Sequence, residues 1–340
     1  MKKHVNIPVF IPHLGCPNQC VFCNQNTISG IKEFQPESVV DIIESALKTI
    51  DKESEAEIAF FGGSFTGIDP NLMIKLLEIA YSYLSDGRVS SIRCSTRPDY
   101  INEQVLEYLK KYGVKVIELG LQSVDEKVLG LTKRGHSFED ENRACRLITK
   151  HGFTLVGQMM IGLPGATLDS ELKTADFIIK SGASCARIYP TVVFRDTELA
   201  KMTEKKIYTP ISVDEAIKRS AAVMKKFIDS GIEVIRVGLC SSENLTSEET
   251  YFAGPNHPAI GELVENEIYY NSICEKLKNA DLLSDKKITV FVSRGSLSKA
   301  IGQKKKNKIR LIKDFSPTDI KFCEDEKLSD YEISLNIKER

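Results

Sequence analysis

The feature that most constrains the fold is a regular alternation of short apolar runs with amphipathic segments, which begins at Val5 and continues to about residue 193. The strand-like runs are rich in β-branched and aromatic residues, and helical periodicity fills the intervals between them. The predicted strands are Ile7–Ile11, Ile58–Phe61, Ser91–Cys94, Lys115–Leu119, Thr154–Ile161 and Ala186–Val193. The predicted helices are Ser38–Ile50, Leu72–Leu84, Asn102–Tyr112, Phe138–His151 and Leu168–Ser181. This order predicts a parallel sheet with helices packed outside it, while periodicity alone leaves an open sheet and a barrel both possible.

Three cysteines follow the first predicted strand at short intervals. The run from Gly15 to Cys23 reads GCPNQCVFC, so that Cys16, Cys20 and Cys23 have a C-x3-C-x2-C spacing. Three thiolates can bind three irons of a [4Fe–4S] cluster and leave the fourth iron open, whereas four-cysteine ferredoxin runs fill every iron. A zinc site is the weaker alternative, because it needs a fourth Cys or His and His13 is the only candidate nearby. Unrelated free cysteines are the third possibility.

Further motifs occur at the ends of the next predicted strands. They are FFGGSFT at 60–66, CSTRPDY at 94–100, ELGLQS at 118–123 and GLPG at 162–165. Together with the cysteine spacing, these motifs resemble the signature of radical S-adenosylmethionine (SAM) enzymes. The resemblance is to the branch that contains the catalytic subunit of the elongator complex, which modifies wobble uridines in tRNA, and that lies near the oxygen-independent coproporphyrinogen oxidases. It covers about the first two-thirds of the chain and continues more weakly through residues 195–270.

The resemblance implies an α/β fold with a partial (βα)6 TIM-like barrel and the cofactor at the C-terminal ends of the strands, where barrels generally have their active sites. After Arg195 the pattern changes. It predicts helices at Thr197–Lys206, Val213–Ser230 and 262–280, a strand at Glu233–Gly238, and a loop at Asn244–Gly261. We therefore expect a radical SAM core over residues 1–200, an extension of the core over 201–285, and a small α/β unit over 286–340.

The resemblance also implies the cofactors, a [4Fe–4S] cluster held by Cys16, Cys20 and Cys23, and SAM bound at the open iron. Arg134 would grip the SAM carboxylate, because a guanidinium forms a bidentate contact that lysine does not reproduce; the alternative is a solvated arginine at a helix end. Ser95 occupies a position where the elongator pattern has a glutamate, and its hydroxyl can still form a hydrogen bond. The other positions matching SAM contacts are Phe22, Gly62, Gly63, Ser64, Gln122, Ser123, Gln158 and Met160. For Met160 the alternative is plain core, which a Met-rich strand more often forms. His136 and His257 are interpreted as structural or substrate-side residues.

The C-terminal segment has its own pattern. It predicts a strand at Ile288–Val292, a short helix at Leu297–Ile301, a turn at Gly302–Lys305, a helix at Asn307–Ile312 and a strand at Ile320–Cys323. This order resembles a KH-type RNA-binding unit, whose GxxG loop clamps the backbone of single-stranded nucleotides, although Lys305 replaces the second glycine. The candidate RNA contacts are Gly302, Lys304, Lys305, Lys306 and Lys308. A lysine-rich solvated turn on a small α/β cap is the alternative, and either way the lysines can contact phosphates.

Composition limits the remaining possibilities. Hydrophobic content of 42% and charged content of 27% are ordinary for a globular protein, and no apolar run approaches the ~20 residues needed to span a bilayer. The net charge of −1 excludes polyanion binding by bulk charge, so the local lysine run carries that argument. The odd number of cysteines, nine, predicts a reducing cytosol. Cys94, Cys145, Cys185, Cys240, Cys274 and Cys323 have no ligand spacing, and we interpret them as small buried hydrophobes.

Taken together, these patterns predict a cytoplasmic radical SAM enzyme that cleaves SAM reductively to a 5′-deoxyadenosyl radical and modifies RNA, with tRNA as the first candidate. The expected partners are RNA and an electron donor such as ferredoxin or flavodoxin, with no membrane. The resembling elongator subunits also carry an acetyl-CoA-binding acetyltransferase domain, for which we expect no room here. Two alternatives remain: a small-molecule enzyme of the coproporphyrinogen-oxidase kind, and a non-catalytic iron–sulfur protein that binds RNA.

Overall fold

The computed structural model describes residues 4–12, 14–16, 19–25, 34–51, 53–239, 247, 249–278 and 286–339. The chain forms two compact units, one of Met1–Ile211 with Lys226–Asn256 and the other of Ser212–Lys225 with His257–Arg340. His13 and Cys240 lie outside the described residues, as do residues 244–246 and 248 of the predicted 244–261 loop.

A seven-stranded parallel sheet, curled into a half-barrel, forms the centre of the first unit. The strands are β1 (His4–Ile11), β2 (Glu55–Gly62), β3 (Ser91–Thr96), β4 (Val114–Gln122), β5 (Thr154–Ile161), β6 (Cys185–Pro190) and β8 (Glu233–Val237). They lie side by side in that order, and the α/β partial-barrel prediction is confirmed. The seventh strand, β8, is the predicted 233–238 segment, which pairs along β6 and continues the sheet beyond the six expected units.

Helices connect these strands, and polar caps begin most of them. Asp69 and Asn102 accept backbone N–H groups at two helix starts, and Ser137 and Thr167 form capping boxes at two others. The helices are α1 (Val39–Leu47), α2 (Pro70–Ser85), α3 (Glu103–Lys111), α4 (Glu126–Leu131), α5 (Phe138–Lys150), α6 (Leu168–Lys180) and α7 (Glu198–Glu204). An additional helix, α8 (Val213–Asp229), crosses the boundary between the two units.

The two faces of the sheet differ in chemistry. Side chains of one face are apolar and fully buried, among them Ile58, Ile117 and Ile188. The alternate positions carry charged or polar groups, among them Arg93 and Glu118. Because successive residues of a strand point to opposite sides, the apolar face packs under the helices and the polar face lines the inside of the half-barrel.

The strand predicted from Ala186 to Val193 is divided in two. It ends at Pro190, after which Val193–Phe194 (β7) pairs antiparallel with Tyr251–Ala253 (β9) in a separate two-stranded sheet. A proline has no N–H to donate to a continuing ladder. Thr191 instead donates its backbone N–H to the carbonyl of Ile161, at 2.9 Å, which closes the end of β5.

The second unit contains a three-stranded sheet and the helices that cover it. The elements are α9 (Ile260–Lys278), β10 (Lys286–Val292), α10 (Leu297–Ile301), α11 (Lys306–Phe315), β11 (Asp319–Glu324) and β12 (Ile333–Glu339). The strand β10 is central, parallel to β11 and antiparallel to β12. Tyr269, Val290 and Leu311 are buried in a common apolar core.

The cysteines outside the motif fall into two groups. Cys94 and Cys145 are buried, as predicted, whereas Cys185, Cys274 and Cys323 are only half-buried, so the prediction of buried hydrophobes is wrong for these three. Cys185 begins β6 on the polar face of the sheet, where complete burial among apolar groups is not available. In the described part of the chain, no helix combines the length and apolarity required to cross a bilayer.

Candidate active site

The segment that carries Cys16, Cys20 and Cys23, here called the cysteine loop, follows β1. Backbone hydrogen bonds hold it on two sides. Toward β2, Gly63 donates to the carbonyl of Ile11 at 2.7 Å, and Ser64 donates to that of Leu14 at 3.0 Å. On the other side, Val21 donates to the carbonyl of Thr132 at 3.2 Å. The loop is therefore attached both to the end of β2 and to the segment that follows α4.

Glycines permit this close contact. A Cβ on Gly63 would lie 2.1 Å from the carbonyl oxygen of Leu14, and a Cβ on Gly15 would lie 2.2 Å from that of Ser64. Gly62 has φ of 110°, a conformation that other residues rarely adopt. In this structure the glycine pair brings the end of β2 against the cysteine loop, and its predicted contact with SAM stays a prediction.

The three thiols lie in one partly buried region. Cys20 is buried, and Cys16 and Cys23 are half-buried. Burial raises the pKa of the Cys16 thiol, against which the positive charges of Arg97 and Arg134 act, and burial raises the pKa of Cys23 to about 12. Without a metal these two thiols are protonated at neutral pH, so that loading with iron must release protons.

Two buried arginines face the thiols. Arg134 directs Nη1 at the sulfur of Cys20, 3.2 Å away, and donates Nη2 to the carbonyl of Gly120 at 2.6 Å. Its Nε is buried and has no hydrogen-bond partner among the described residues. Arg97 is held by two 2.9 Å contacts to Asp99 and donates to the carbonyl of Arg134 at 2.5 Å. Arg134 is thus not a solvated helix-end arginine.

These groups fit a cluster. Three thiols with two neighbouring guanidiniums supply the ligand sulfurs and balance their negative charge when the thiols ionise. No three Cys, His, Asp or Glu side chains of the described ranges converge as the ligands of a single metal ion would. A [4Fe–4S] cluster does not need such convergence, because each thiolate binds its own iron. The residues that would hold it are Cys16, Cys20 and Cys23.

Two predicted SAM contacts at the end of β4 have different local environments. Gln122 has φ of 72°, uncommon for a residue other than glycine, and its buried Oε1 has no partner in the described part of the chain. Such strain is concentrated at functional sites, so the conformation supports a ligand role. The hydroxyl of Ser123 accepts the backbone N–H of Asp125 at 3.2 Å, which is a turn contact.

A hydroxyl cluster supports Arg97. Ser64 is buried, its hydroxyl lies 2.9 Å from that of Thr96, and it accepts the backbone N–H of Arg97 at 3.2 Å. Thr66 joins the same cluster at 2.6 Å from Thr96. The predicted ligand Ser64 therefore also fixes the backbone at Arg97.

The remaining predicted SAM contacts lie on β5, on β3 and in the cysteine loop. Gln158 donates Nε2 to Glu118 at 2.7 Å and lies 3.5 Å from the hydroxyl of Ser95. Met160 is half-buried on the same face of β5, two residues further along. Phe22 packs against the small apolar cluster of Val21 and its neighbours. Contact of these residues with SAM stays a prediction.

The two histidines singled out by the sequence have structural partners. His136 is buried with Nε2 3.0 Å from Glu141. Burial lowers the pKa of His136 to about 3, so its imidazole is neutral at pH 7, and burial raises the pKa of the Glu141 carboxyl well above its usual range. His257 accepts the backbone N–H of Ala259 at 3.1 Å, close to the start of α9.

Sequence reasoning missed several polar residues of the site. Arg97 lies within the CSTRPDY motif, but nothing in the motif assigns it a position beside Cys20. Arg93, Glu118 and Arg187 form a buried ionic network inside the half-barrel. The available signal was a charged residue between two apolar neighbours in a predicted strand, as in SIRCST and CARIYP.

The lysine turn of the second unit has a defined backbone. Gly302 has φ of 79°, and Lys304 and Lys305 have φ of 52° and 62°, so the residue at the second glycine position of the GxxG pattern adopts a left-handed conformation. Asn307 is buried and donates to the carbonyls of Ala300 and Asn266, which fixes the start of α11. Lys304, Lys305 and Lys306 are exposed, and Lys308 is half-buried.

Comparison with known proteins identifies the family. The sequence profile of the Radical SAM superfamily matches residues 10–178, and that of the Radical_SAM C-terminal domain matches residues 183–270. The chain belongs to the radical SAM superfamily. This radical SAM protein is an enzyme whose cofactors are a [4Fe–4S] cluster and SAM.

Two curated proteins and one solved structure illustrate what this chain is similar to. The chain is 31% identical over 147 residues to the tRNA uridine(34) acetyltransferase of Methanocaldococcus infernus, covering 42% of this chain and 28% of that protein. It is 27% identical to an uncharacterized protein of Methanocaldococcus jannaschii, covering 64% of this chain and 70% of that one. Archaeal Elp3 of M. infernus shares the fold, with a TM-score of 0.61 at 20% identity over 84% of this chain and 66% of that chain. The chain spans less than a third of the length of the curated acetyltransferase.

Proposed function

We propose that this radical SAM enzyme modifies a base in RNA, with tRNA as the first candidate substrate. The observation that carries the proposal is the similarity of the chain to proteins named tRNA uridine(34) acetyltransferase. The exposed lysines of the 302–308 turn support it, because lysines contact phosphates in a sequence-independent way. The expected cellular setting is the cytoplasm, with a low-potential donor such as ferredoxin or flavodoxin supplying the electron.

The residues of the half-barrel would divide the work. Cys16, Cys20 and Cys23 would hold the cluster, and Arg134 would bind the SAM carboxylate. When bound, the cofactors supply one-electron cleavage of the sulfonium bond, which gives a 5′-deoxyadenosyl radical. Arg97, fixed by Asp99, adds positive charge next to the thiolates. The burial of both arginines keeps water away from the sulfur of Cys20.

The test uses the anaerobically reconstituted protein with reductant and SAM, with and without bulk tRNA. We expect 5′-deoxyadenosine in both reactions, a higher yield with tRNA, and a nucleoside of altered mass after digestion of the tRNA. The Cys20→Ala protein is the control and should produce neither product. If tRNA leaves the yield of 5′-deoxyadenosine unchanged and no nucleoside changes mass, the RNA proposal is wrong.

A further inference from the structure

A buried ionic network lies inside the half-barrel. Glu118 is fully buried and accepts hydrogen bonds from Arg93 Nη1 at 2.8 Å, Arg187 Nη2 at 2.8 Å and Gln158 Nε2 at 2.7 Å. Arg93 also pairs with the buried carboxylate of Glu57 on the neighbouring strand. Four strands, β2, β3, β4 and β6, thus contribute one charge each, and β5 contributes an amide.

Fold stability does not explain this network. Removing charges from water costs several kcal/mol for each ion, and apolar side chains of similar volume often stabilise a protein as well or better. The opposite face of the same sheet is filled with apolar side chains. Since apolar side chains could fill both faces of the sheet, stability alone does not account for the charged side chains on the inner face.

Half-buried aromatic side chains adjoin Arg187. Its Cζ lies 5.7 Å from the centroid of the Phe61 ring, and Phe61 lies 6.1 Å from the ring of Phe10. Tyr189 follows Arg187 on the same face of β6, and burial raises the pKa of its phenol, which therefore stays a neutral hydrogen-bond donor. The Nε of Arg187 is buried and makes no hydrogen bond to any described residue.

Arg187 and Tyr189 lie beside two predicted SAM contacts. Arg187 pairs in register with Gln158, and Tyr189 pairs in register with Met160. Gln158 and Met160 occupy positions that resemble SAM contacts. A molecule bound by Arg187 and Tyr189 on β6 would thus lie next to the predicted SAM contacts on β5, beside the expected site of radical formation.

We propose that Phe61, Arg187 and Tyr189 form a subsite for one unpaired nucleobase of the RNA substrate, with Glu118 as the residue that positions Arg187. A nucleobase has flat faces that stack on aromatic rings and guanidinium planes, and a polar edge that accepts hydrogen bonds. The inference rests on the proposed function and specifies where the substrate base binds. The charges of Arg93 and Arg187 are balanced by Glu57 and Glu118, which suits a neutral ring such as uracil better than a substrate with several carboxylates.

The test measures how much the base itself contributes to binding. Two fluorescent stem-loop RNAs are compared on the reconstituted enzyme by anisotropy, one with a single unpaired uridine in its loop and one with an abasic site at that position. The wild-type enzyme should bind the uridine RNA about tenfold more tightly, as expected for one stacked base. Phe61→Leu and Arg187→Lys should each reduce that ratio toward one, with little change in affinity for the abasic RNA.

Matched control variants come from outside the half-barrel. The exposed Arg88 lies 4.8 Å from the ring centroid of the buried Tyr83 and pairs with the half-buried Glu44, so that the same three side-chain types meet away from the interior of the half-barrel. Arg88→Lys and Tyr83→Leu should keep the tenfold ratio. If they reduce it as much as the inner variants do, the assignment of the subsite is wrong.

The positioning role of Glu118 needs a separate measurement. Glu118→Gln should reduce the uridine preference, and Glu118→Gln combined with Arg187→Lys should reduce it no further than either change alone. Additive losses would contradict positioning. Iron content and melting temperature identify any variant that does not fold. If Glu118→Gln does not fold, Arg187→Lys, which keeps the charge, and Phe61→Leu still test the base subsite.

The outcomes separate the inference from the proposed function. If the wild-type enzyme binds both RNAs equally, the base subsite is wrong, while RNA modification is still decided by its own assay. If the enzyme binds neither RNA, both proposals are contradicted. A tenfold preference that survives both inner variants places the base elsewhere and overturns the inference.

Discussion

The cysteine loop and the lysine turn present two different kinds of candidate binding surface. Around the cysteines, backbone hydrogen bonds, close glycine contacts and two buried arginines hold the described part of the loop in place. At the lysine turn the backbone is defined, but three of the four lysines are exposed. The first arrangement is preorganised for a small ligand, while the second offers positive charge to an extended one. Changes at the cysteine loop should therefore act as all or nothing, and changes at the lysine turn should act in steps.

The largest effect is expected at the cysteines. Replacing Cys16, Cys20 or Cys23 by Ala should abolish iron loading, since a [4Fe–4S] cluster with only two thiolate ligands lacks its third anchor. Iron and sulfide quantitation after anaerobic reconstitution measures this. The matched control is Cys94→Ala, a buried cysteine of β3, which should load fully. Normal iron content in Cys20→Ala would refute the ligand assignment.

The next effect concerns the arginine that faces Cys20. Arg134→Lys should weaken SAM binding roughly tenfold or more, because losing one charge-assisted bidentate contact costs about 1.5–3 kcal/mol. Calorimetry on the cluster-loaded protein gives the affinity, and the absorption spectrum shows whether the cluster is intact. Arg88→Lys, on the outer surface, should bind SAM normally. Equal affinities for the two variants would leave Arg134 with a structural role only.

A graded effect is expected at the lysine turn. Changing Lys304, Lys305, Lys306 and Lys308 to Ser should weaken tRNA binding and flatten its salt dependence by ~0.7–0.9 in slope for each lost phosphate contact. Filter binding at several salt concentrations measures the slope. The control replaces Lys75, Lys111, Lys150 and Lys173, which lie on the outer helices of the half-barrel unit. If the salt dependence flattens equally in both proteins, the lysines of the turn contribute only general surface charge.

The smallest effect is a difference between two glycines of the second unit. Gly302 and Gly295 have nearly the same positive φ, 79° and 81°, but a Cβ on Gly302 would lie 2.9 Å from Asn307, whereas nothing lies within 4 Å at Gly295. Both Ala variants should therefore pay backbone strain of about 1–3 kcal/mol, with the larger loss at Gly302. Thermal melting compares them. A larger loss at Gly295 would show that Asn307 does not hold the turn.

Local patterns in the sequence were enough to predict the strands of the large sheet and most helices, but they gave a loop where β9 lies and no strand for β12. The segment at 233–238 was predicted as a strand, but its place in the sheet required knowing that it pairs with β6, a long-range contact that periodicity does not encode. The positions of Arg97 and Arg134 beside Cys20 likewise depend on loops separated by many residues. The network around Glu118 was missed because a single charge in a strand reveals its partner only after the sheet has been assembled.

The proposed activity of this radical SAM enzyme on a base in RNA can be tested in cells. The most direct measurement compares the digested tRNA nucleosides of a strain lacking the protein with those of the same strain carrying the wild-type chain or Cys20→Ala, by mass spectrometry. If the enzyme modifies a base in RNA, one modified nucleoside, or its precursor, changes in abundance in the deletion strain, and the wild-type chain restores it while Cys20→Ala does not. Identical nucleoside profiles in all three strains would contradict the proposed activity.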